Sequence, residues 1–268
     1  MVTKIYRFLY RKIITKFFDI LMSRENIKLK FFGSSYGGWH VFETEGIKNS
    51  TIISCGVGED ISFDIEMINQ YKLNVICVDP TPRSIEYFNK IIKNLGSKKE
   101  QNYSLDGYQK INSYDLSGIK NNDITLVKYA IWNKTEEELK LYYPENKSNV
   151  SLSLSNFSNN YREDTDFVKV NAISYDDLLK KFNLTKLPLI KLDIEGAEYD
   201  VLISIIKNNI LPDQILVEFD ELYTYEFSQL LKYFKLHKKL INKNYISIKT
   251  NHFSNQLYIK KECLKKLH

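Results

Sequence analysis

Two stretches end in acids where an apolar run stops. "LPLIKLDIEGAEYDVL", residues 187–202, runs from Pro188 into Asp193, and Glu195, Glu198 and Asp200 follow closely. "PDQILVEFDEL", residues 212–222, repeats the design with Glu218 and Asp220. If both runs are strands, period two sets Lys191 and Asp193 on one side and Ile190 and Leu192 on the other. The acids then fall at the carboxyl edge of a sheet, where open α/β folds bind ligands. A carboxylate there can take a proton from a hydroxyl, and Lys191 supplies the counter-charge that keeps Asp193 ionised. Gly196 allows a turn, and Ala197, Val201, Leu202 and Ile205 have the spacing of a helix core face. Near that helix start, Glu195 and Glu198 also read as dipole partners.

A second constellation lies upstream. "TIISCGVGEDISFDIEM" reads as strand, Gly56-Val57-Gly58, then helix, and "NVICVDPTP" ends a further strand at Asp79, 21 residues beyond Gly58. Glycines there permit a tight turn and close ligand approach, and an acid at that distance accepts ribose hydroxyls. A nicotinamide dinucleotide would seat a pyrophosphate on the helix N-terminus, yet Glu59 and Asp60 add negative charge there, and Ile61 stands where a third small residue is usual. A cationic, phosphate-free nucleoside suits an acidic pocket better. The plainer reading leaves Glu59 and Asp60 as helix-start acids and Asp79 as the acid before a proline turn.

These residues need a scaffold. From Thr51, β-rich apolar runs alternate with helical ones, the pattern of βα units on a parallel sheet. Strands are expected at "TIISC", "NVICVD", "ITLVKYAIW", "PLIKLD" and "QILVEF", with helices over residues 60–70, 83–95, 174–183, 196–208 and 226–240. "NYISIKT" and "NQLYIKK" read as a C-terminal antiparallel hairpin, and "FFGSSYGGWHVFETEG" as a strand or hairpin broken by glycines. Residues 94–122 and 144–166 read as long loops covering a site. The expected domains are an N-terminal basic amphipathic helix over residues 1–32 and a catalytic domain over 33–268. In that helix Ile5, Phe8, Leu9, Ile13, Phe17, Ile20 and Leu21 form the apolar stripe. It could rest on an anionic membrane or dock on the domain or a partner protein.

The net charge of +5 is uneven: +6 over residues 1–30, +9 over 232–268 and −10 between. An acidic body with basic ends does not suit a nucleic-acid groove. Cys55, Cys77 and Cys263 show neither zinc nor disulfide spacing. With no uncharged run long enough to span a bilayer, the expected location is cytoplasmic, with a peripheral membrane contact left open.

"IISCGVGEDISFDIEM", "VDPTPRSIEYF", "YAIWN" and above all "PLIKLDIEGAEYDVL" followed by "QILVEFDEL" resemble the FkbM-type methyltransferase family, from about residue 33 to the C-terminal hairpin. The resemblance implies a Rossmann-like, doubly wound α/β fold whose seven-stranded sheet has one antiparallel strand. It also implies S-adenosylmethionine as donor and O-methylation of a sugar hydroxyl in a glycan, surface polysaccharide or glycosylated metabolite. By position, Gly56, Gly58 and Glu59 would border the methionine part, Asp79 the ribose, and Ala130 and Ile131 the adenine. Asp193, Glu195, Glu218 and Asp220 are the catalytic candidates, with His252 or His40 as alternatives if a loop brings one in. His237 reads as surface. An Mg2+ ion bridging Asp193 and Asp220 is a further possibility. Tyr36, Trp39, Tyr142, Tyr143 and Tyr161 could stack on a sugar or simply pack. Loss of Asp79 is expected to weaken donor binding by about 1.5 to 3 kcal/mol with the fold intact. The rival readings are an NAD-dependent oxidoreductase and a degenerate binding module.

Overall fold

The computed structural model describes residues 10–16, 18, 27–144, 152–154, 162–224, 226–250 and 254–265. Helix α1 covers residues 10–16. The β1 (Leu29–Phe32) and β2 (Trp39–Phe42) strands pair as an antiparallel hairpin. Then come β3 (Thr51–Cys55), α2 (Ser62–Tyr71), β4 (Asn74–Val78), α3 (Pro82–Lys93), β5 (Ile124–Val127), β6 (Ala130–Trp132), β7 (Glu136–Tyr142) and β8 (Phe167–Ser174). The remaining elements are α4 (Tyr175–Lys181), β9 (Leu189–Leu192), α5 (Glu198–Lys207), β10 (Gln214–Glu218), α6 (Phe227–Asn242), β11 (Tyr245–Lys249), β12 (Asn255–Lys260) and α7 (Lys261–Leu264).

The main sheet has seven strands in the order β11-β12-β10-β9-β3-β4-β5. Strands β10, β9, β3, β4 and β5 pair in parallel, and β12 runs antiparallel to both β10 and β11. The order reverses between β3 and β9, so a crevice opens at their carboxyl ends. Strand alternation loads both faces. Ile53, Cys55, Ile190, Leu192, Ile215 and Val217 join the core under α4, α5 and α6, while Ile52, Leu189 and Leu216 join the core under α2, α3 and the β1–β2 hairpin. The expected doubly wound α/β fold is therefore present.

Two expectations change. "ITLVKYAIW" is two strands: β5 closes the main sheet, the chain leaves at the exposed Lys128, and β6 pairs instead with β8 in a separate three-stranded sheet, β6-β8-β7. Apolar residues flank Lys128 on both sides, but the hydrogen-bonding partner changes there. In α1, the buried residues are Ile14 and, just beyond, Phe18, whereas Ile13 is 67% exposed, so the packed stripe is offset from the expected one. The remaining stripe positions, Ile5, Phe8, Leu9, Phe17, Ile20 and Leu21, lie outside the described residues. Among those described, no helix is long and apolar enough to cross a membrane.

Candidate active site

After β3 the chain turns at Gly56, whose φ of +80° favours glycine. A Cβ there would stand 1.7 Å from the carbonyl oxygen of Asp193, so only glycine lets the turn lie against the end of β9. Gly58, at φ +56°, faces open space: a Cβ would meet no atom within 4 Å. Asp79, at the end of β4, clamps this turn. Its Oδ2 accepts from the amides of Val57 (2.9 Å) and Gly58 (3.1 Å), and its Oδ1 from the amide (2.8 Å) and hydroxyl (2.7 Å) of Thr81. These four donors use the acceptor capacity of an ionised carboxylate. Asp79 thus shapes the turn as well as lining the cavity, which corrects the expectation that its loss leaves the fold untouched.

The start of α2 is closed by a latch from the β1–β2 hairpin. The Asp60 carboxylate accepts from Ser34 Oγ (2.6 Å), Gln109 Nε2 (3.2 Å) and the Ser62 amide (2.9 Å), and the Ser34 amide donates to Ser62 Oγ (2.7 Å). Gly37 lies so close that a Cβ would be 2.8 Å from Asp60 Oδ2. The Tyr114 hydroxyl accepts from the Ile61 amide at 3.2 Å. At this helix start the Ile61 and Ser62 amides are already taken by protein acceptors, unlike the open amides that seat a pyrophosphate. Glu59 forms an ion pair with Arg83 at 2.5 Å, so the phosphate-repelling charge expected of Glu59 is largely offset, and that of Asp60 is turned into the latch.

The strand-end acids converge. A cavity of about 480 Å3 opens at the carboxyl ends of β3, β4, β9 and β10. The ten residues assigned from sequence to donor binding or catalysis line it: Gly56, Gly58, Glu59, Asp79, Ala130, Ile131, Asp193, Glu195, Glu218 and Asp220. Ala130, Ile131, Leu141, Leu152 and Leu154 add apolar lining from the three-stranded sheet region, and Ser153 Oγ donates to the Glu195 carbonyl at 2.6 Å. Tyr36 stands at the hairpin side, and burial followed by Asp193, Glu195 and Glu218 raises its hydroxyl above the usual tyrosine range.

Carboxylate oxygens of Asp193, Glu195 and Asp220 lie within 4.8 Å of one another. Burial, then Asp193 and Glu195, push Glu218 up to about 8. Burial and the surrounding Glu195, Glu198, Glu218 and Asp193 raise Asp220 well above the carboxylate range. The balancing cation is Lys191, buried beneath the turn, which donates to the Gly56 carbonyl at 2.6 Å and pairs with Asp193 at 3.7 Å. Burial opposes its charge, yet Asp193 and Asp64 hold the ammonium above its ordinary value.

Asp64, a buried acid behind the cavity that acts on Lys191, is a charge that sequence reading missed. It is 1% exposed on α2, and burial, offset in part by Lys191, raises it to about 6. The signal was available: Ile61, Asp64, Ile65 and Ile68 share a core face at helical spacing, and an acid in such a stripe needs a buried cation.

Other candidates fall elsewhere. Glu198 is fully buried, and its oxygens accept from the amides of Ile194 (2.9 Å) and Gly196 (3.0 Å), fixing the loop after β9. His40 sits on β2 against Phe31, with ring centroids 5.0 Å apart, and does not line the cavity. His237 is buried, not surface: its Nδ1 lies 3.1 Å from the Tyr258 hydroxyl and 3.3 Å from that of Tyr233 in a polar cluster closed by Gln256. Its surroundings include apolar α6 neighbours Tyr233, Leu236 and Leu240, which outweigh the adjacent lysines. The Trp39 ring lies 5.8 Å from Lys191 Nζ, and Tyr142 packs on Phe167. His252 and Tyr161 lie outside the described residues. The three cysteines are buried and lie outside any disulfide.

A seven-stranded sheet of this order, with its penultimate position taken by one antiparallel strand and a glycine turn facing strand-end acids, defines a Rossmann-like methyltransferase fold. Residues 36–245 match the methyltransferase FkbM domain, and the chain belongs to that family of methyltransferases. Comparison with curated proteins finds no match, and comparison with solved structures finds none.

Proposed function

We propose that the protein is an S-adenosylmethionine-dependent O-methyltransferase acting on a sugar hydroxyl of a glycan, surface polysaccharide or glycosylated metabolite. The observation that carries this reading is one cavity lined both by apolar Ala130, Ile131, Leu141, Leu152 and Leu154 and by the strand-end acids Asp193, Glu195, Glu218 and Asp220, beside a glycine turn whose Gly58 face is open. Such a lining suits a cationic nucleoside without phosphate. The latched start of α2 speaks against a dinucleotide, and the intact strand-end acids speak against a binding module alone.

The residues fit the donor as follows. Gly56 and Gly58 would border its methionine part with Glu59 beside them, Asp79 would hold the turn against the ribose, and Ala130 and Ile131 would face the adenine. When bound, S-adenosylmethionine supplies a methyl group on a positively charged sulfur. The chain's own residues would orient the acceptor oxygen and remove its proton. Asp220, Asp193 and Glu218 lie around the same space, and any of them within hydrogen-bond reach of a hydroxyl can serve as base. Glu195 completes the acidic rim, and Lys191 pairs with Asp193. Tyr36, at the hairpin side, offers a ring face to a sugar. The expected cytoplasmic location and a peripheral membrane or partner-protein contact through the basic N-terminal segment are part of the same proposal. The test is transfer of radiolabelled methyl from S-adenosylmethionine to a panel of glycans. Label should appear on a sugar oxygen in an alkali-stable ether. Label found only on protein or nucleic acid would contradict the reading.

A further inference from the structure

We propose that Asp193, Glu195 and Asp220 form a binding site for a hard divalent cation of the Mg2+ type, seated between the ends of β9 and β10. One oxygen from each side chain lies within 4.8 Å of the other two. In an octahedral Mg2+ with bonds of 2.0 to 2.1 Å, opposite ligands stand about 4.2 Å apart and adjacent ones about 2.9 Å, so the three side chains would draw inward to close on an ion. The three ligands follow directly on two strands, β9 and β10, that are hydrogen-bonded neighbours through Leu192 and Val217, which anchors the loops that carry them.

A second observation points to a ligand independently of the clustering. The Asp220 Oδ2 atom is buried and has no hydrogen-bond partner. Buried carboxylate oxygens nearly always have a donor, and an unmet one costs on the scale of a lost hydrogen bond. The groups acting electrostatically on Asp220 are themselves acids, Glu195, Glu198, Glu218 and Asp193, so the protein side offers repulsion where a positive partner is wanted. Lys191 does not fill that role, because its ammonium is committed to the Gly56 carbonyl and to Asp193. The cluster contains only carboxylates, which favours Mg2+ or Mn2+ over zinc.

The ion's role in turnover rests on the methyl-transfer reading; its binding does not. A bound cation would coordinate the acceptor hydroxyl and lower its pKa. The hydroxyl proton passes to a cavity carboxylate such as Glu218, the oxygen lone pair forms the new C–O bond, and the S–CH3 bond breaks with its electrons kept by sulfur. The products are a methyl ether and neutral S-adenosylhomocysteine.

The experiment is a calorimetric titration of the metal-stripped full chain with Mn2+, without donor. One saturable site is expected. Asp220→Asn and Asp193→Asn should each weaken it at least about tenfold, while Asp176→Asn, at an exposed acid on α4, should leave it unchanged. Circular dichroism identifies any variant that fails to fold, and Glu195→Gln then stands in for it with the same expected loss. No saturable binding by the folded wild type, or equal affinity in the folded site variants, would overturn the proposal. S-adenosylhomocysteine is titrated separately in the presence of EDTA. If Mn2+ binds as expected and S-adenosylhomocysteine does not, the cation site stands and the donor reading falls.

Discussion

Lys191 Nζ donates to the carbonyl oxygen of Gly56 at 2.6 Å, which ties the strand bearing Asp193 to the glycine turn of the neighbouring β3. Beneath this contact the ammonium is the charge that faces both Asp193 and buried Asp64. Removing one partner from a buried ionic group costs about 3 to 5 kcal/mol, because it strands the remaining charge. Lys191→Met should lose stability on that scale in urea unfolding and should also weaken S-adenosylhomocysteine binding. A variant as stable as wild type would show that Lys191 does not organise the turn.

Asp79 offers a second test of the same turn. With four donors on its carboxylate, Asp79→Ala should lower the unfolding free energy by about 1 to 3 kcal/mol and reduce donor-product affinity together. Reduced affinity at unchanged stability would leave only a ligand-binding role for this acid.

The two glycines should separate in mutagenesis. Alanine at Gly56 meets the Asp193 carbonyl and must also adopt a positive φ, so it should destabilise the fold strongly. At Gly58 the space is open, so alanine carries only the left-handed backbone cost of about 1 to 2 kcal/mol and projects its methyl group without a clash. Gly58→Ala should therefore fold yet bind S-adenosylhomocysteine more weakly. Thermal melting and calorimetry on both variants check the contrast.

Asp64 gives stability a pH signature. Its folded pKa of about 6 stands above the ordinary 3.8, so the folded state holds the proton more tightly. The stabilisation is complete below the ordinary value and is lost as pH rises through about 6. Linkage gives a loss of about 1.4 kcal/mol between pH 5 and pH 8 from this group. Asp64→Asn lacks this slope, so the wild-type minus variant difference in urea unfolding should shrink by that amount over the interval. Parallel curves would contradict the assignment.

Much of the site was legible because its chemistry is written at strand ends. Apolar runs stopping in Asp79, Asp193, Glu218 and Asp220 fix both the strands and the edge to which the acids belong, and the structure gathers them at one cavity. Pairing partners were not legible. Val127 and Ala130 belong to different sheets although apolar residues resume directly after Lys128, since an apolar run reports burial and not a neighbour. The latch of Ser34 on Asp60 joins residues 26 apart through side chains of ordinary loop composition. Asp64 and His237 were passed over for one reason: a polar residue inside a helical core stripe was read as surface or ignored.

The central claim is that the acidic cavity takes a cationic, phosphate-free nucleoside, and calorimetry on the full chain with S-adenosylhomocysteine, S-adenosylmethionine and NAD tests it most directly. Saturable 1:1 binding of both methionine nucleosides with no detectable heat from NAD is the predicted result. Binding of NAD with neither nucleoside bound would contradict the account.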